Sequence, residues 1–165
     1  MRILGIDTSL RSTGVGIIEV SGSKIRLVEA VTLTIPAGRP VSECLRRIDR
    51  ELANLIGTYS PETAAVEGIF YCKNVKTAVT LGQARGVAIA ACARAGLPVF
   101  EYPPRRVKQA LVGHGEASKE QVALMVIRLL GLSETPQEDS ADALAIAICH
   151  AQAQTVIAAL APKPL

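Results

Sequence analysis

The stretch Arg2-Ile3-Leu4-Gly5-Ile6-Asp7-Thr8-Ser9 constrains this chain more than any other. Ile3, Leu4 and Ile6 put apolar side chains on both sides of a pleat, the pattern of a central strand covered above and below. That run ends in a carboxylate. An ionised side chain at the end of a doubly buried strand needs a partner, and a metal ion, a base or a turn could each supply one. The plainer reading is that Asp7, followed by Thr8-Ser9, folds back on its own backbone as a turn residue.

Residues 14–20 and 25–35 are further β-branched runs, separated by turns rich in Ser and Gly that are too short for a crossover, so the first three strands must be antiparallel. Val41, Cys44, Leu45, Ile48, Leu52, Leu55 and Ile56 recur at helical spacing and predict an amphipathic helix ending near Gly57. Residues 63–67 read as a fourth strand, 75–95 as a helix and 98–102 as a fifth strand. Pro103-Pro104 starts a short helix broken at Gly113-His114-Gly115, Ser118 with Gln121 forms a capping box for a helix through Leu130, and Pro136 opens the last helix. The expected fold class is α/β: a five-stranded mixed sheet, three antiparallel plus two parallel strands, with helices on both faces. Residues 1–160 form one domain, and residues 161–165 are expected to fray.

If the fourth strand lies beside the first, Asp7 and Glu67 meet at the carboxyl ends of parallel strands, where open α/β sheets place their sites. Asp139 and Asp142, three residues apart, share one face of the last helix. Four carboxylates packed together without a cation would raise one another's pKa values, so their convergence points to metal ions. Oxygen ligands favour Mg²⁺ or Mn²⁺, and two such ions form a clamp suited to phosphodiester hydrolysis. Taken singly, Glu138, Asp139 and Asp142 would only complement a helix dipole. Glu67, closing an otherwise apolar strand, is harder to explain in that way.

The remaining composition fits this chemistry. At 49% hydrophobic and 20% charged the 165 residues are those of a globular chain, and a formal charge of +3 is too small to identify a partner by itself. Residues 68–100 contain no acid, however, and residues 102–119 carry Arg105, Arg106, Lys108 and Lys119 against Glu116 alone. Setting aside the four candidate site acids leaves 11 acids against 18 basic residues, +7 outside the site. Cys44, Cys72, Cys92 and Cys149 form no CxxC pair and read as reduced packing residues of a cytoplasmic protein. Residues 143–162 lack charge but carry His150, Gln152, Gln154 and Thr155, and read as a buried or half-buried helix, not a membrane span. His114 and His150 stand in no ligand spacing and read as structural.

These residues carry a resemblance. Leu4-Gly5-Ile6-Asp7 with Thr13-Gly14, Glu67 followed by Phe70, Lys73 and Asn74, and Leu81-Gly82-Gln83-Ala84-Arg85-Gly86 resemble the RuvC crossover-junction endodeoxyribonucleases of the RNase H-like superfamily. So do Pro98-Val99-Phe100-Glu101-Tyr102, Val107-Lys108-Gln109 and Asp139-Ser140-Ala141-Asp142-Ala143-Leu144-Ala145. The resemblance implies that Asp7, Glu67, Asp139 and Asp142 form a catalytic tetrad that binds Mg²⁺ or Mn²⁺, two ions per site. It further implies a bacterial, cytoplasmic homodimer that nicks a four-way (Holliday) DNA junction symmetrically, in company with the RuvA–RuvB branch-migration complex and with no membrane partner. Relatives often carry Pro-Gly in place of Thr8-Ser9, which alters the turn, and a larger polar residue in place of Gly68, which removes any side-chain contact to DNA there.

Six residues are candidate DNA contacts: Phe70, Lys73, Lys76, Arg85, Lys108 and Lys119. Phe70 is one of five aromatic residues and could stack on or wedge between unpaired bases at a junction centre; a core position is its other reading. Lys108 and Lys119 match lysines the family uses near the scissile phosphate. Gly82, Ala84, Gly86, Ala88, Ala90 and Ala91 would let another helix approach closely, which suits a dimer interface or packing on the chain's own sheet. The alternative enzyme is a YqgF-like RNase H-fold nuclease acting on RNA, which shares the Gly-Ile-Asp opening. An actin-like phosphotransferase fragment would need a second glycine-rich phosphate loop that the chain lacks, and a non-catalytic junction binder would have no use for four acids.

Overall fold

The computed structural model describes residues 1–68, 74–154 and 163–165. Strand β1 (Arg2–Asp7) is the middle of a five-stranded sheet ordered β3-β2-β1-β4-β5. β2 (Ser12–Ser21) and β3 (Lys24–Thr34) extend it antiparallel on one side, whereas β4 (Thr63–Glu67) and β5 (Val99–Tyr102) extend it parallel on the other. The crossovers are α1 (Val41–Tyr59) and α2 (Val75–Arg94), and α3 (Pro104–Val112), α4 (Lys119–Leu130) and α5 (Glu138–Ala153) follow. This is the expected mixed sheet with helices on both faces.

The pleat of β1 assigns its side chains to two cores. Leu4 and Ile6 face a layer made by Cys44, Ile48, Leu52 and Ile56 of α1 and Ala84, Ala88, Ala91 and Cys92 of α2. Ile3 faces the opposite layer, in which α5 lies on the sheet and α3 and α4 contribute Val107, Leu111, Val122 and Val126. Burying this apolar area, at about 25 cal/mol per Å², is what holds both layers to the sheet.

Local signals explain most element ends. α4 begins with the expected capping box, in which the Ser118 hydroxyl accepts from the Gln121 amide and the Gln121 side chain accepts from the Ser118 amide. α3 stops at Gly113, whose φ of 93° is open to a residue without a Cβ. α1, in contrast, runs past Gly57 to Tyr59 and is closed by Ser60 in the left-handed conformation (φ 47°). Pro136 lies two residues ahead of α5 and not inside it.

The uncharged stretch, as far as it is described, is buried or half-buried up to Ala153, and Gln154 is exposed. α5 is buried from Ala143 to Ala151, and among the described residues no helix is long and apolar enough to cross a membrane. The end of the chain does not hang free at its last residue, since the Leu165 amide donates to the Val99 carbonyl at 2.8 Å, on the side of β5 away from β4. Of the small residues in α2, Ala84, Ala88 and Ala91 pack on the chain's own sheet; Gly82, Gly86 and Ala90 point outward.

Candidate active site

Strand parity brings the first two acids together. Ile3, Gly5 and Asp7 share the α5 side of β1, and Ala65 and Glu67 share the α5 side of β4. With Ile6 paired in parallel to Val66, the next step along each strand sets Asp7 beside Glu67 at the carboxyl ends. The same register pairs Glu67 with Tyr102 of β5.

α5 reaches this end of the sheet because three glycines let it lie almost on the backbone. A Cβ at Gly14 would stand 1.8 Å from the Asp139 carbonyl oxygen, one at Gly5 2.0 Å from that of Ala143, and one at Gly16 2.8 Å from the Leu144 side chain. Gly14 pairs directly with Asp7 across β1 and β2, so the backbone of Asp139 rests on the strand neighbour of Asp7. One turn on, Asp142 joins Asp7 and Glu67 in a cleft of about 340 Å³ whose walls include Lys108 from α3, Lys119 from α4 and the apolar side chains of Val107, Val122 and Ile146.

The four candidate acids are therefore not equivalent. Asp7, Glu67 and Asp142 line the cleft, whereas Asp139 lies beside it with its carboxylate accepting a hydrogen bond from the Ser12 hydroxyl. Asp142 is engaged by Lys119, whose Nζ donates to it at 3.3 Å and to Glu138 at 2.6 Å. Among the described residues no three acidic, imidazole or thiol groups stand close enough, with the side chains in these positions, to hold a metal ion. Ser12 and Lys119 are the protein groups that hold the two α5 carboxylates.

Electrostatics record the crowding. Burial pushes the Asp7 carboxyl up to about 7, and repulsion from Glu67, Asp142 and Asp139 adds to the rise. Burial and Asp142 likewise raise Glu67, against an opposing pull from Lys119 and Lys108. Asp142 is raised by burial and held back by Lys119, while Lys119, hydrogen-bonded to Glu138, keeps its proton even more firmly than an ordinary lysine.

The candidate DNA contacts separate in the same way. Lys108 and Lys119 stand at the cleft. Lys76 is exposed in a different hollow, with Ser9, Arg11, Thr77 and Thr80. Arg85 departs from the expectation of a DNA contact: its side chain is 17% exposed, paired with Glu101, and its Nε donates to the Glu67 carbonyl at 3.3 Å. It is turned inward because β5 delivers a carboxylate to it next to the end of β4. Phe70 and Lys73, with Cys72, lie outside the described residues.

Sequence reasoning passed over Ser12 and Glu101. The signal for Ser12 was present, since Ser12, Gly14 and Gly16 alternate on one side of β2, and two glycines on one side of a strand mark a face against which another backbone lies. His150 is a buried core residue, with Nδ1 2.7 Å from the Tyr102 hydroxyl, Nε2 3.2 Å from that of Thr63, and its ring against Phe100. Burial lowers its pKa to about 4, so it is neutral at ordinary pH.

Comparison with known proteins adds a family to this geometry. A family model described as crossover junction endodeoxyribonuclease RuvC matches residues 3–150. The crossover junction endodeoxyribonuclease RuvC of Chloroflexus aggregans is 52% identical over 152 residues, 92% of this chain and 93% of that protein, and the protein of the same name from Alkalilimnicola ehrlichii is 52% identical over 149. Among solved structures, Thermus thermophilus RuvC in complex with a Holliday junction substrate superimposes with a TM-score of 0.92 at 38% identity, covering 100% of this chain and 99% of that one.

Proposed function

We take one premise and infer the function from it: the chain belongs to the RuvC family of crossover junction endodeoxyribonucleases. It hydrolyses phosphodiesters at four-way (Holliday) DNA junctions in recombination and repair. The observation that carries this reading is the cleft in which Asp7, Glu67 and Asp142 meet two lysines at the carboxyl ends of β1 and β4. The family match favours this substrate over RNA, the substrate of the YqgF-like alternative.

Asp7, Glu67, Asp139 and Asp142 are the proposed metal ligands. The donor set fits hard divalent cations, because it is all carboxylate oxygen and because three of its members have proton affinities raised by burial and mutual repulsion, a cost that a cation removes. Mg²⁺ or Mn²⁺, two ions per site, held by these carboxylates would supply Lewis acidity toward the water and the leaving oxygen. The protein groups do the rest. Ser12 orients Asp139, Arg85 holds the backbone at Glu67, and Lys108 and Lys119 offset the charge of the scissile phosphate. The apolar wall of Val107, Val122 and Ile146 narrows the cleft and reduces solvent there.

Two nicks placed symmetrically in a two-fold junction require two sites, and hence a homodimer. The outward face of α2 supports one: Val75 and Val79 are 77% and 54% exposed, and a Cβ added at Gly82 or Gly86 would meet nothing within 4 Å. Phe70 and Lys73, which lie outside the described residues, and Lys76 in the first turn of α2 are further proposed DNA contacts. RuvA–RuvB is the proposed partner that brings the junction, in the bacterial cytoplasm. The test is nicking of a synthetic four-way junction against plain duplex and RNA hairpins, with Mg²⁺, Mn²⁺ or a chelator. Metal-dependent paired nicks in the junction alone are expected; preferential cutting of RNA or of plain duplex overturns the reading.

A further inference from the structure

A second basic surface lies across the strand ends from the acidic cleft. Arg11, in the turn between β1 and β2, is its centre. Its guanidinium donates to the carbonyls of Pro36 at 2.8 Å and Arg39 at 3.1 Å, which ties the segment between β3 and α1 to the end of the sheet where Asp7 stands. To one side Arg11 and Lys76 border a hollow of about 430 Å³. To the other, Arg39, Arg46, Arg47 and Arg50 surround a hollow of about 510 Å³ in which Glu43 is the one acidic lining residue among those described.

The charges in this track are unequally spent. Arg39 pairs with Glu43 at 3.4 Å and Arg50 with Glu51 at 2.8 Å. Arg46 and Arg47 are exposed and, among the described residues, have no ion-pair partner. Among the described residues the linings of the two hollows are, apart from Glu43, cationic, hydroxyl and aliphatic, with no aromatic ring. Forked guanidiniums match phosphate oxygens, and contacts of that kind position a duplex without reading its sequence.

The substrate supplies the reason for such a surface. A four-way junction has four arms and a two-fold dimer has two subunits, so each subunit must manage two arms. The cleft on the α5 face, with Lys108 and Lys119, addresses the strand to be cut. We propose that the track from Lys76 through Arg11 to Arg46 and Arg47, on the α1 face at the same end of the sheet, holds the phosphate backbone of the second arm. This rests on the junction-nuclease reading and adds to it a second DNA surface per subunit.

The test is the double variant Arg46→Gln/Arg47→Gln, in which no ion pair among the described residues is lost and no cleft residue is touched. Binding is measured at several salt concentrations to junctions whose arms are two helical turns long (about 20 base pairs) and to junctions with arms of half a turn. The variant is expected to bind the long-armed junction about tenfold or more weakly, and the slope of log K against log salt to fall by roughly 3–4 per dimer for four lost phosphate contacts. Short-armed binding and the nicking rate of fully bound junction are expected to match wild type. Equal affinity of variant and wild type for long arms overturns the proposal and leaves these arginines to an acidic protein surface; an equal loss on both junctions overturns it by placing them at the junction centre. A wild type that does not prefer junctions would instead overturn the functional reading on which the proposal rests.

Discussion

On the α5 face of the sheet β1 and β2 present Gly5, Gly14 and Gly16; on the α1 face the same strands present Leu4, Ile6, Val15 and Ile17. One pair of strands thus makes two unlike surfaces. Large side chains on the α1 face hold α1 and α2 at ordinary packing distance and contribute stability. Absent side chains on the α5 face let a helix descend onto backbone and carry Asp139 and Asp142 to Asp7. The α5 face gives up apolar burial to gain position, and it gathers carboxylates that repel one another. Both faces carry a buried apolar cluster, but only at the strand positions where α5 descends is side-chain volume given up for close approach and for a gathering of acids.

The sharpest way to break this contrast is Asp7→Asn. Metal-dependent nicking of a junction is expected to vanish while junction binding persists. Because folding raises the Asp7 pKa from 3.8 to about 7, the native state holds this proton more tightly than the unfolded chain, and stability from this group falls as pH rises between those values. In chelator at pH 8 the variant should therefore melt above wild type, and the gap should close near pH 4. Nicking near the wild-type rate would remove Asp7 from the chemistry.

Gly14→Ala tests the close approach itself. The added methyl group would meet the Asp139 carbonyl carbon and oxygen, which are backbone and cannot rotate away, so α5 must shift. We expect a loss of about 3 kcal/mol by denaturant titration and about 100-fold or more in nicking rate. Wild-type melting and activity would mean that α5 has room to spare.

How much of this was legible depended on the range of the signal. Asp7 and Glu67 could be read because parity and strand ends are local properties, and the parallel pairing of β1 with β4 follows from a single crossover. The Ser12–Asp139 bond joins residues 127 positions apart, and no spacing rule links a strand hydroxyl to a helix that far along the chain. Arg85 looked like a DNA contact because its own helix has no acid; its partner Glu101 arrives on the next strand. Gly57 looked like a helix end, yet the last turn of α1 still packs Ile56 in the core, and tertiary burial outweighed the local preference.

A smaller effect comes from the far end of α5. His150 is neutral in the folded protein, its pKa lowered by burial from 6.5 to about 4. The unfolded chain takes up a proton first on acidification, so the stability this group contributes is whole above pH 6.5 and is lost as pH falls toward 4, by about 3 kcal/mol at most. His150→Gln should flatten the decline in melting temperature between those values, through a group that does not reach the cleft. An unchanged pH profile would show that His150 takes up its proton as readily in the folded protein as in the unfolded chain, or that another group governs acid unfolding.

The smallest expected effect lies on the α1 face. Gly57 is exposed within α1, and a Cβ there would meet nothing within 4 Å. Gly57→Ala removes backbone freedom from the unfolded chain and adds a good helix former, so it should stabilise by about 0.5–1 kcal/mol. Nicking should be untouched, because α1 enters the site only through the sheet. Set beside Gly14→Ala, the same chemical change should thus have opposite signs on the two faces: a methyl group is welcome where helix and sheet already stand apart and excluded where a glycine brings Asp139 to Asp7. A loss of nicking in Gly57→Ala without a loss of stability would show that the two faces are coupled and that the division between them is incomplete.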